Sequence, residues 1–163
     1  MNDAAVVVRS EQTQPQTLQT GGVVRLAGRL DDVVAAFKEY QKACEALLTQ
    51  DDYQAISGRK FKKKSAWRKI ATAFGISTSI VKSTIVYDDD GRIHHAEFTV
   101  RATAPNGRTM EGWGGASVVD RDFSHDQDVA ATAQTRATSR AISDLIGAGE
   151  VSAEEMADDA KPA

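Results

Sequence analysis

The period of the apolar positions changes along the chain, and each change marks an element. Over residues 30–49, Val33, Val34, Phe37, Tyr40, Cys44 and Leu47-Leu48 recur at three- and four-residue spacing. That spacing predicts a helix, with Asp31 or Asp32 as its cap. Residues 52–58 read as a short strand ending at a glycine. Residues 65–74 read as a second helix, with Trp67, Ile70, Ala71 and Phe74 on one side and Gly75 as its stop. The period then falls to two. Over residues 93–104, His95, Glu97, Thr99 and Arg101 alternate with Ala96, Phe98, Val100 and Ala102, which marks a strand with one buried face. Residues 79–87 and 108–119 flank it through the turns Asp88-Asp89-Asp90-Gly91 and Pro105-Asn106-Gly107, completing a three-stranded antiparallel meander. The last helix covers residues 126–146. Ser124 or Asp126 caps it, and Val129, Ala133, Ala137, Ala141 and Leu145 form a row at spacing four, joined by Ala130, Ile142 and Ile146. So many alanines on one face imply close approach to a sheet. The expected fold is α+β: a β-meander with a long helix packed across it, plus N-terminal helices.

The flanks lack this order. Residues 1–24, rich in Gln, Thr and small side chains, read as a flexible arm in which Val6-Val7-Val8 has the composition of an edge strand. Residues 25–149 read as one domain, and residues 150–163 as an acidic, disordered tail. Within the third strand, Gly112-Trp113-Gly114-Gly115 is unusual, because glycine weakens a strand interior and marks a bulge or a close backbone approach.

Charge changes the picture. The formal net charge is −3, but residues 53–110 carry 11 basic and 4 acidic side chains, while residues 111–163 carry 4 and 11. An asymmetry of +7 against −7 points to a polyanionic partner on one face. The densest stretch holds Arg59, Lys60, Lys62, Lys63, Lys64, Arg68 and Lys69, with Phe61 and Trp67 between them. Cations at that density suit phosphates, and interleaved aromatics suit stacking on unpaired bases. The competing reading is a solvated loop, and Trp67 in particular fits a core position. Arg136 and Arg140 lie four apart on the polar side of the last helix among Thr132, Thr135, Ser139 and Ser143. That face fits a sugar-phosphate chain, or equally ion pairs with carboxylates.

Other chemistry finds little support. His94, His95 and His125 lack a third and fourth ligand at familiar metal spacing. There is no phosphate-binding glycine loop with a lysine, no nucleophile elbow and no recognisable Cys/His pairing, so neither catalysis nor a cofactor is expected. The single cysteine, Cys44, excludes an internal disulfide. No apolar run approaches the roughly 18 residues that cross a bilayer, and no signal peptide is evident, so a cytoplasmic location is expected.

Taken in order, residues 53–149 resemble the DNA-annealing domain of the Rad-fifty-two-type single-strand annealing proteins, relatives of phage annealing recombinases. The resemblance rests on a sequence of segments. The first is the helix ending Ile70-Ala71-Thr72-Ala73-Phe74-Gly75. Phe98-Thr99-Val100-Arg101 and Asn106-Gly107-Arg108 follow in the meander, then Glu111-Gly112-Trp113-Gly114, and last the helix Ala131 to Ile142 with Arg136-Ala137 and Arg140-Ala141. It implies ATP-independent annealing of complementary strands in recombination and repair. The protein would be a homo-oligomeric ring or filament holding single-stranded DNA in a basic groove, with other recombination or replication proteins as further partners. Carried over, Arg140 matches a groove cation and Lys62–Lys64 lie near another; Arg101, in the resembling strand segment, is a further candidate DNA contact. Ser139 departs from the pattern, where a second basic residue is expected. Two open edges of the meander, together with the arm, are expected to build the assembly. The rival expectations are a monomeric strand-binding protein without annealing activity, and an interaction module whose basic face binds an acidic protein.

Overall fold

In the computed structural model, which describes residues 28–119, 126–148 and 152–153, a sheet is closed on one face by a helix. The chain divides into two units, Met1–Phe37 and Lys38–Ala163. The described part of the first is the N-terminal stretch of α1 (Leu30–Leu47). The second begins within that helix. A single 3₁₀ turn, Gln50–Asp52, leads into β1 (Tyr53–Ile56) and β2 (Arg59–Lys62), which form a two-stranded hairpin. Next come α2 (Lys64–Ala73), β3 (Ser77–Tyr87), β4 (Ile93–Thr103), β5 (Thr109–Ser117) and α3 (Asp126–Ile146). The order β3-β4-β5 is antiparallel throughout. The described residues are therefore α+β, with three helices, a three-stranded sheet and a two-stranded one.

The helix and the sheet meet at close quarters. Ala96, Phe98, Val100 and Ala102 of β4 and Ala116 of β5 face α3, whose Val129, Ala133, Ala137, Ala141 and Leu145 are buried against them. Opposite the alanine row stand Gly112 and Gly114. A Cβ at Gly112 would lie 2.3 Å from the Ala141 amide nitrogen and 2.4 Å from the Ala137 carbonyl. At Gly114 it would lie 2.3 Å from the Ala137 nitrogen and 2.6 Å from the Ala133 carbonyl. Those glycines mark a close backbone approach: glycine on the strand and alanine on the helix let the two main chains touch. Trp67, Ile70 and Cys44 extend the same core, with Tyr40, Phe74 and Leu48 packed against it.

The expected boundaries hold to within a few residues, with one addition. The basic run after Gly58 is partly a strand, β2. It returns on β1 through Ser57 (φ 50°) and Gly58 (φ 78°), the left-handed pair that a tight two-residue hairpin needs. Ser124, the arm 1–24 and His125 lie outside the described residues, as does the side chain of Asp126, the other expected cap. Of the stretch after residue 149, Ser152 and Ala153 are described. Both are buried, and Ser152 pairs with Lys62 in an isolated parallel bridge, so this pair is packed and not solvated. Among the described residues no helix is long and apolar enough to cross a membrane.

Candidate nucleic-acid interface

Helix α2 presents Lys64, Arg68 and Thr72 at spacing four, with Trp67 and Ala71 beside them. Helix α3 presents Gln134, Thr135, Thr138, Ser139 and Ile142 toward them, and Ile76 and Thr78 supply the floor at the start of β3. These residues line a groove of about 400 Å³. Two cations stand at one wall, hydroxyls and a carboxamide line the other, and no carboxylate lines either. A cleft of this kind offers charge to phosphates and the Gln134 carboxamide to sugars and bases. The Thr72, Thr135 and Thr138 hydroxyls, which donate to the Arg68, Ala131 and Gln134 carbonyls, add acceptor oxygens.

The remaining cations of the basic run are dispersed by the fold. Arg59 is exposed at the hairpin turn. Lys60, also exposed, donates to the Gln50 side-chain carbonyl at 3.2 Å. Lys62 was expected in the DNA-binding run but is only 7% exposed, with its ammonium 5.6 Å from the centroid of the Trp67 ring. Alternation along β2 turns it inward. Lys63 occupies the N-cap position of α2 and is half-buried. Lys69 points away from the groove and meets the buried Asp52 at 2.6 Å. Asp52 also accepts the Thr49 amide at 2.9 Å. The Lys69 ammonium first, and then the Thr49 amide, hold the Asp52 carboxyl well below the usual carboxylate range. Arg101 lies on the sheet face opposite α3, where it forks onto Glu111, its cross-strand neighbour, at 3.0 and 2.8 Å.

Arg136 and Arg140, expected to meet a sugar-phosphate chain or carboxylates, each donate to a backbone carbonyl of β5. Arg136 is 7% exposed and donates to the Gly115 carbonyl at 2.7 Å, and Arg140 donates to the Trp113 carbonyl at 2.8 Å. The Arg140 guanidinium also lies 5.9 Å from the centroid of the Trp113 ring. The two accepting carbonyls are two residues apart in β5, so they share one edge of that strand. Thr132, Thr135, Ser139 and Ser143 are buried as well, so on this side α3 meets solvent mainly through Gln134 and Thr138, where the groove opens. The glycine–alanine contact draws α3 so near to β5 that arginine side chains reach the strand's outer edge. The sheet therefore has one edge capped, where two open edges were expected.

Trp67, placed in the core by its spacing, is 1% exposed. Among the described residues no group of three or more metal-ligating side chains assembles. The groove also contains Thr72, Thr78, Gln134 and Thr138, which charge-based reading passes over. Their signal is the pair of steps Gln134-Thr135 and Thr138-Ser139, four residues apart, a polar stripe at helical spacing. Compared with models of known protein families the chain matches none, and among curated proteins no significant similarity is found.

Proposed function

We propose that this protein binds single-stranded DNA in the groove between α2 and α3. Acting as a homo-oligomer, ring or filament, it then anneals complementary strands in recombination or repair without ATP. The observation that carries the reading is the groove itself, with Lys64 and Arg68 on one wall, hydroxyls on the other and no acidic lining. Its about 400 Å³ is of the order of a nucleotide-sized ligand site. The resemblance of its segment order to that of the annealing proteins supports the same reading. Binding draws most of its free energy from phosphate neutralisation, so it weakens log-linearly with salt, by about 0.7 log units per contact for each tenfold rise in salt.

Fluorescence anisotropy with a labelled oligonucleotide tests this. Lys64→Glu combined with Arg68→Glu is expected to weaken binding at least tenfold and to flatten the salt dependence, with the melting temperature little changed. Strand annealing, followed by a quenched dye pair, falls with it. Wild-type affinity in the double variant would move the site elsewhere.

A further inference from the structure

We propose that the free edge of β3 pairs antiparallel with β3 of a second copy of this chain, joining two three-stranded sheets around a twofold axis. The inference rests on the homo-oligomer proposed above and gives it a twofold dimer as its unit, from which a ring or filament would need a second contact.

The two edges of the sheet are chemically different. At β5, the Gly115 and Trp113 carbonyls already accept from Arg136 and Arg140 at 2.7 and 2.8 Å. An incoming strand would have to displace two charge-assisted hydrogen bonds and the side chains that make them. At β3 no such cap is found among the described residues. All eleven of its residues are exposed, including Ile80, Val81, Ile85, Val86 and Tyr87. α3 packs on β4 and β5 instead. Six of its eleven residues are Ser, Thr or Lys, but Lys82 is its one charge, and between two irregularities its pairing with β4 is regular from Lys82 to Val86. A long, nearly uncharged edge is what natural sheets avoid unless something pairs with it.

The charge pattern selects a second copy as the occupant. Lys82 is the one ionisable cation of β3, and the acidic turn Asp88-Asp89-Asp90 begins six residues later. With Ile85 on the twofold axis, Lys82 of each chain opposes Asp88 of the other, Ser83 opposes Tyr87 and Thr84 opposes Val86. Opposite charges meet twice and like charges nowhere. A register centred on Lys82 would set two ammonium groups against each other, which destabilises a pair. The capped edge of β5 excludes the head-to-tail alternative, so this contact closes on itself.

Cysteine crosslinking and light scattering of the full chain test the proposal. In a Cys44→Ala background, Ile85→Cys is expected to form a covalent dimer under mild oxidation, at least tenfold faster than Thr84→Cys, whose two copies lie out of register. Ile85→Lys, at an exposed site that leaves the core intact, is expected to lower the average mass in solution at least twofold. Equal crosslinking at both positions, an unchanged mass in Ile85→Lys, or a wild-type protein of single-chain mass at tens of micromolar would each overturn it. The DNA reading stands or falls separately: Ile85→Lys keeps the groove and its affinity for a short oligonucleotide, and the Lys64/Arg68 double reversal keeps the mass.

Discussion

Asp52 shows how one buried carboxylate organises the approach to the groove. It ends the turn after α1, accepts from the Thr49 amide and hydroxyl and from Lys69 on α2, and so ties the turn to the helix that carries Lys64 and Arg68. Because Lys69 and the Thr49 amide favour the charged form, the folded state binds the proton more weakly than the unfolded chain does. The stabilisation is fully present above the ordinary carboxylate range and drains away as the pH falls through and below it, under about pH 4. Asp52→Asn should therefore lower the melting temperature at neutral pH and make it less sensitive to acid below pH 4. Parallel thermal melts of the two proteins from pH 7 to pH 2 measure both effects. An unchanged acid profile would mean that other carboxylates dominate acid unfolding.

At the scale of elements, the helix α3 and the strand β5 meet backbone to backbone at Gly112 and Gly114. Gly114→Ala places a methyl within 2.3 Å of helix backbone, which no side-chain rotation relieves. Overpacking of this kind costs about 3 kcal/mol, read as a lower denaturation midpoint with an unchanged slope. Neighbouring Gly115 faces the opposite side, where the nearest atoms belong to the movable Trp113 ring at 3.3 Å, so Gly115→Ala should cost far less. The same contact explains how far the sequence could be read. Helix 126–146 was legible to its ends because the alanine row runs unbroken from turn to turn. The glycines opposite it were legible as an oddity, though not as the reason for its smallness. Arg136 and Arg140 look like surface cations by spacing, since periodicity cannot say that a neighbouring strand comes near enough to take them up. β2 was hidden for a related reason. In Arg59-Lys60-Phe61-Lys62 the inward residue is itself a lysine, so charge masks the period of two, and only Ser57-Gly58 betrays the hairpin. Lys64 and Arg68 were legible as cations. Their selection from a run of seven depends on how α2 and α3 pack, which no local pattern encodes.

For the whole molecule, net charge and binding face are decoupled. A chain with pI near 5.6 repels a polyanion at long range, yet charges beyond roughly 8 Å are screened at physiological salt. On the proposed reading, attraction of a DNA strand would be local to the groove, and association would gain little from steering. The two tryptophans divide the molecule optically in the same way. Trp67 is sealed beside the groove wall at 1% exposure, while Trp113 stands 52% exposed on the far side of the sheet. Iodide should quench one emitting population and spare the other, with the spared fraction emitting at the shorter wavelength. Replacing Trp113 by Phe should abolish the quenchable part, which a Stern–Volmer titration checks. This chain therefore carries its own pair of fluorophores: a shielded one that registers what enters the groove, and an open one that registers what approaches the sheet.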